Sequence, residues 1–151
     1  MARTLDPARG LPLRARAAGF LLCSQLGDAV SSLRAAWWSL RAARRAQQAL
    51  VAGEFDNISL PRVPRLPERG HSGVAAVLRR ERYTCLERAL VRQAWYAAHG
   101  DRRDVVIGVR APSAGFAAHA WLEGDVPCHT EAFAELARKP VAAGPTSARA
   151  R

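Results

Sequence analysis

Large apolar residues recur at helical spacing through the first third of the chain. Leu26, Val30, Leu33, Trp37 and Leu40 fall at i, i+4, i+7, i+11 and i+14, one face of an α-helix. Arg34, Arg41, Arg44 and Arg45 lie largely off that stripe. The pattern predicts helix from about Leu13 to Val51, with Gly27 and Asp28 as the point where it divides into two helices. The stripe implies packing against the rest of the chain. Trp37 and Trp38 leave a second option, a contribution to a partner surface, because tryptophan is enriched at interfaces. Periodicity then stops. Pro61, Pro64 and Pro67 recur every third residue between Gly53 and Gly70, which reads as an extended connector.

The second half alternates short helical and strand patterns. Ser72 is placed to cap a short helix through Arg80. Thr84 and Glu87 form a capping box, so a helix should run from Cys85 to about His99 and stop at Gly100. Asp104 to Arg110, with Val105, Val106, Ile107 and Val109, reads as a buried strand. Ala117 to Glu123 alternates and reads as a second strand, with His119, Trp121 and Glu123 on one face. Gly124 and Asp125 supply a turn, Val126 to Thr130 a returning third strand, and the residues through Arg138 a short helix. The fold class is therefore α+β. Its expected parts are an N-terminal helical region over 1–55, a proline-rich connector over 56–70, a core over 71–138 and a disordered tail over 139–151.

Composition narrows the chemistry. The chain has 151 residues, of which 49% are apolar, enough for one domain with a modest core. The net charge of +10 comes almost entirely from arginine, Lys139 being the one lysine. The arginines are scattered, and with the abundant alanine they fit codon usage in a GC-rich genome better than a nucleic-acid footprint. A positive field would instead steer an acidic peptide or protein. Cys23, Cys85 and Cys128 are too few and too odd in number for a disulfide framework. No CxxC or CxxxC pair occurs, and Cys128 beside His129 does not make a metal site. No apolar run is long enough to span a membrane. The apolar stretch Ala17–Cys23 is too short for a signal peptide, Asp6 interrupts its basic flank, and no cleavage site follows, so a cytoplasmic protein is expected.

Cys85 is the residue with a chemical setting. At the first position of a capped helix, free amides and the positive end of the helix dipole favour a thiolate, the nucleophilic form of cysteine. Cys23 and Cys128 have no such setting and read as buried small residues. A thiol nucleophile needs a base. Of the four histidines, His99 sits at a helix end, His71 in the connector region and His129 after the turn. His119 lies mid-strand between alanines, which makes it the candidate base.

These residues carry a family resemblance. Cys85-Leu86-x-Arg88-Ala89-Leu90, then Ile107-Gly108-Val109-Arg110, then His119-Ala120-Trp121-Leu122-Glu123 resemble the transglutaminase-like core of lasso-peptide leader peptidases, over roughly residues 70 to 138. The helical first third fits the stand-alone form, which lacks a fused leader-recognition domain. The resemblance implies a papain-like α+β fold with a Cys-His-Asp triad; no cofactor and no metal are expected. It implies removal of the leader from a ribosomally made precursor. The expected partners are that precursor, a small leader-recognition protein and a separate ATP-dependent cyclase, with no nucleic acid. One departure stands out: no aspartate occupies the strand after the histidine. Asp125 belongs to the turn, roughly 15 Å or more along the strand from His119. A loop at 124–126 would pair 119 with 131 and favours Glu131 as the third residue; a two-residue loop would pair 119 with Thr130. Asp125 stays open as the alternative third residue, and His129, Thr130, a carbonyl or a water are further orienters. Three other readings stay open: an acyl-transferring transglutaminase, a non-catalytic scaffold for precursor and cyclase, and an arginine-rich nucleic-acid binder.

Overall fold

The computed structural model describes residues 13–80, 82–110, 115–125 and 133–141, with the backbone alone over 13–26. Helix α1 spans Leu13–Val51, α2 spans His71–Arg80 after one 3₁₀ turn at Glu68–Gly70, and α3 spans Cys85–Ala98. Strands β1 (Val105–Arg110), β2 (Ala117–Leu122) and β3 (Ala134–Lys139) form an antiparallel sheet in the order β2-β1-β3. Helices over a small antiparallel sheet make the α+β class expected from the pattern.

Local chemistry accounts for α3. The Thr84 hydroxyl accepts from the Glu87 amide at 3.2 Å, and the Glu87 carboxylate accepts from the Thr84 amide at 2.7 Å. The helix ends where Gly100, at φ +89°, takes a left-handed turn that a side chain would strain. Ser72 does not cap α2. Its hydroxyl bonds Ser32 Oγ at 2.9 Å and the Arg69 carbonyl at 3.3 Å, tying α2 to α1.

Three further expectations are corrected. α1 is continuous through Gly27 and Asp28. The residues leading to Arg138 form β3 rather than a helix, because Ala134–Lys139 pair with β1 and tertiary hydrogen bonds override helix propensity. The large apolar stripe of α1 does not face the core. Val30, Leu33 and Trp37 are 54%, 70% and 61% exposed, while Ala35, Trp38, Ala42, Ala43, Ala46 and Ala49 are buried. Of the two tryptophans, Trp38 packs against Trp95 at 5.7 Å between ring centroids, and Trp37 faces solvent. The proposed third strand, Val126–Thr130, lies outside the described residues.

Alanines face the core because the partner backbone comes very close. A Cβ on Gly73 would sit 1.9 Å from the Ser32 carbonyl oxygen and 2.8 Å from its carbon, so α2 rests on the backbone of α1. Gly73→Ala therefore pits a helix-propensity gain of about 1 kcal/mol against overpacking of about 1–3 kcal/mol. The clash is with rigid backbone, so the balance falls on destabilisation, by about 1–2 kcal/mol. Urea unfolding should show a lowered midpoint; an unchanged or raised midpoint would refute the close contact.

Behind this seam, Val74, Leu78, Val91 and Trp95 complete one apolar cluster. Ala89, Leu90, Val105, Ala120 and Leu122 form a second, between α3 and the sheet. The connector is bound across both. Ile58 and Leu60 pack on the second cluster, Val63 and Leu66 on the first. Trp38 Nε1 donates to the Pro61 carbonyl at 3.0 Å, and Lys139 Nζ donates to those of Phe55 and Asp56 at 2.7 and 3.2 Å.

Candidate active site

Between α3 and β2 lies a cleft of about 430 Å³. Cys85, Arg88, Ala89 and Arg92, at i, i+3, i+4 and i+7, form its helix wall; His119, Ala120, Trp121 and Asp125 form the other. Cys85 is the first residue of α3, a half-buried free thiol packed against the second cluster. The capping box uses two of the four unpaired amides of the first turn. Those of Cys85 and Leu86 remain beside the sulfur.

His119 pairs with Gly108 across the β1–β2 ladder. Ala120 and Leu122 pack toward α3, so strand alternation sends His119 and Trp121 from the other face. There the imidazole stacks on Trp121 at 6.0 Å between centroids, with an interplanar angle of 19°, and meets Phe133 at 5.7 Å. Gly108 makes room for this arrangement. A Cβ there would lie 2.8 Å from Trp121 Cη2 and 3.0 Å from Phe133 Cβ. The thiol and the imidazole line one cleft from opposite sides of the β2 backbone, with no hydrogen bond between them among the described residues. A nucleophile and base often tighten only in the substrate complex.

Asp125 lines the same cleft as the histidine, but its carboxylate is occupied. Arg92 forks onto it at 2.6 and 3.2 Å, and Arg103 approaches to 3.6 Å. Burial disfavours the Arg92 cation, yet its bonds to Asp125 and Tyr96 prevail and raise its pKa above the ordinary value. Further along, the Tyr96 hydroxyl and His71 Nε2 lie 3.3 Å apart. Burial, then the Arg92 charge, lowers the His71 pKa.

His71 and His99 lie away from the cleft. The His99 ring nitrogens sit 2.8 and 3.0 Å from the carbonyl oxygens of Trp95 and Leu66, a structural bridge from α3 to the connector. Glu123, expected to share the His119 face, pairs with Arg138 at 2.6 Å. Glu131, Cys128, His129 and Thr130 lie outside the described residues, as does the side chain of Cys23. Arg88 and Arg92 were not singled out as site residues from the sequence. Their signal was present in the helical spacing from Cys85, but arginines are so frequent here that two more carried little weight.

Among the described residues, no group of His, Cys, Asp or Glu side chains could hold a metal ion, and no helix is long and apolar enough to cross a membrane. The family profile described as the transglutaminase-like superfamily matches residues 11–139. No curated protein and no solved structure gives a significant match.

Proposed function

The chain belongs to the transglutaminase-like superfamily, and we propose that within it this protein is a cytoplasmic cysteine peptidase that removes the leader from a lasso-peptide precursor. The superfamily generally carries out cysteine-dependent chemistry and includes both peptidases and acyl transferases. The observation that carries the reading is the single cleft holding a helix-starting cysteine and a strand histidine. The order and spacing of the cysteine, Ile-Gly-Val-Arg and His-Ala-Trp blocks support the finer assignment.

In this reading His119 takes the Cys85 proton, and the sulfur attacks the scissile carbonyl. The oxyanion that forms accepts from the free amides of Cys85 and Leu86. When the C–N bond breaks, His119 returns the proton to the leaving amine, and the leader is left as a thioester on Cys85. Water then attacks that thioester, His119 accepts its proton, and the leader leaves as a free acid while the thiol is restored. Glu131 orients the imidazole. Arg88, exposed and unpaired among the described residues, lies one turn from the sulfur, where it would meet the peptide.

A cleft of about 430 Å³ holds only a few residues of an extended peptide, so a long leader needs another reader. A separate recognition protein would supply it and raise the local concentration of the scissile bond. The cut core would then pass to an ATP-dependent cyclase.

The test is to incubate the protein with a candidate precursor, with and without its recognition protein, and weigh the products. Free leader and linear core gaining one water are expected, with the recognition protein accelerating cleavage. An isopeptide product that loses ammonia would establish acyl transfer instead, and unchanged precursor in both arms would defeat the peptidase reading.

A further inference from the structure

We propose that the apolar groove between α1 and α2 is a docking surface for an acidic amphipathic helix of a partner protein. Leu33, Ala36 and Leu40 on α1 face Gly73, Ala76 and Val77 on α2 across a concavity of about 490 Å³. Val30 and Trp37 are exposed on the same helix, outside the lining of the concavity itself. Val30, Leu33, Trp37 and Leu40 are spaced 3, 4 and 3 residues apart, the seam that receives the side chains of a second helix. The core takes the alanine face of α1 and leaves this seam, with three of its four large side chains more than half exposed, without a covering element among the described residues.

Charge identifies the occupant. Arg34, Arg41, Arg44 and Arg45 on α1 and Arg79 and Arg80 on α2 are exposed, and Arg80 lines the groove. Arg41 lies 4.7 Å over the exposed Trp37 ring, setting a cation on the indole of the apolar stripe. The one acid in the described side chains of α1, Asp28, is already paired with Arg69 at 3.0 Å. This field repels a second copy of a chain carrying +10 and attracts an acidic partner. A concave slot between two helices accepts the ridge of another helix, whereas a lipid surface is met by a broad apolar face.

The surface is separate from the Cys85 cleft, and the proposal stands whether or not the chain is a peptidase. The recognition protein of the proposed function is one possible bearer of the helix.

The probe is a fluorescein-labelled peptide of three heptads with leucine at a and d and glutamate at e and g. Controls are a scrambled peptide of the same composition, a version with lysine for glutamate, and phosphatidylcholine vesicles containing phosphatidylglycerol. Titration with the full-length protein, read by anisotropy, should show binding of the acidic heptad peptide alone. Leu33→Asp and Trp37→Ala should each weaken it at least about 10-fold. Both side chains face solvent, so thermal unfolding monitored alongside should be unchanged. Equal binding of the scrambled peptide would reduce the effect to charge and overturn the proposal. Vesicle binding lost in the same variants would assign the surface to membrane, and a dimer dissolved by Leu33→Asp would assign it to a second copy. No binding of the acidic peptide would also overturn it.

Discussion

On the proposed peptidase reading, Cys85→Ala is expected to stop leader removal, with a loss on the order of 10⁶-fold, the scale seen when a nucleophile is deleted from a hydrolase. Cys23→Ala and Cys128→Ala should cleave at near the wild-type rate. The argument is positional. Cys85 begins α3, its sulfur borders a cleft, and the amides beside it are not consumed by the cap. Removing one half-buried sulfur leaves Thr84 and Glu87 bonded to each other, so the helix start should survive. Product mass spectrometry gives the rate, and circular dichroism checks the fold. Iodoacetamide at about pH 7 should label Cys85 first in the intact protein. Faster labelling of Cys128, or retained cleavage by Cys85→Ala, would remove Cys85 from the mechanism.

His119→Ala should lower turnover by roughly 10⁴-fold or more, as loss of a base does when it acts with its nucleophile as a unit. The imidazole packs on Trp121 and Phe133, so thermal unfolding must be measured alongside activity. His99→Ala is the informative contrast. Its ring bridges two backbone carbonyls away from the cleft, so its removal should cost about 1–3 kcal/mol of stability with turnover of the folded protein preserved. Glu131→Gln should fall between wild type and His119→Ala, because an orienting acid holds the imidazolium without moving the proton. A His119→Ala protein that cleaves at the wild-type rate with unchanged stability would end the assignment of the base.

What could be read from the chain was mostly local. Thr84 and Glu87 announce α3 because their bonds span three residues and need nothing from the rest of the fold. The valine-rich β1 and the alternating β2 are legible for the same reason. The side of α1 that enters the core was not. Apolar periodicity counts large residues, whereas the helix buries alanines, with Gly73 bringing α2 onto its backbone at Ser32 and Ala46 packing on the second cluster. β3 was missed for a related reason: Ala-Glu-Leu-Ala-Arg-Lys has good helix propensity, and pairing with β1 decides its state. At the site, Cys85 and His119 were visible and share one cleft, while the Arg92–Asp125 pair emerged only when the turn after β2 met the face of α3.

The clipped connector has a consequence for severed protein. Arg62 and Arg65 are exposed within it, which makes it a natural place for an arginine-specific protease to nick the chain. The two pieces would not part easily. On one side of the nick, the alanine face of α1 is buried against α2 and α3; on the other, Leu66 and His99 fasten the strap to the α3 end. The same geometry marks this stretch as the seam for a split version of the protein, in which two separately made fragments reassemble through the interface they already share.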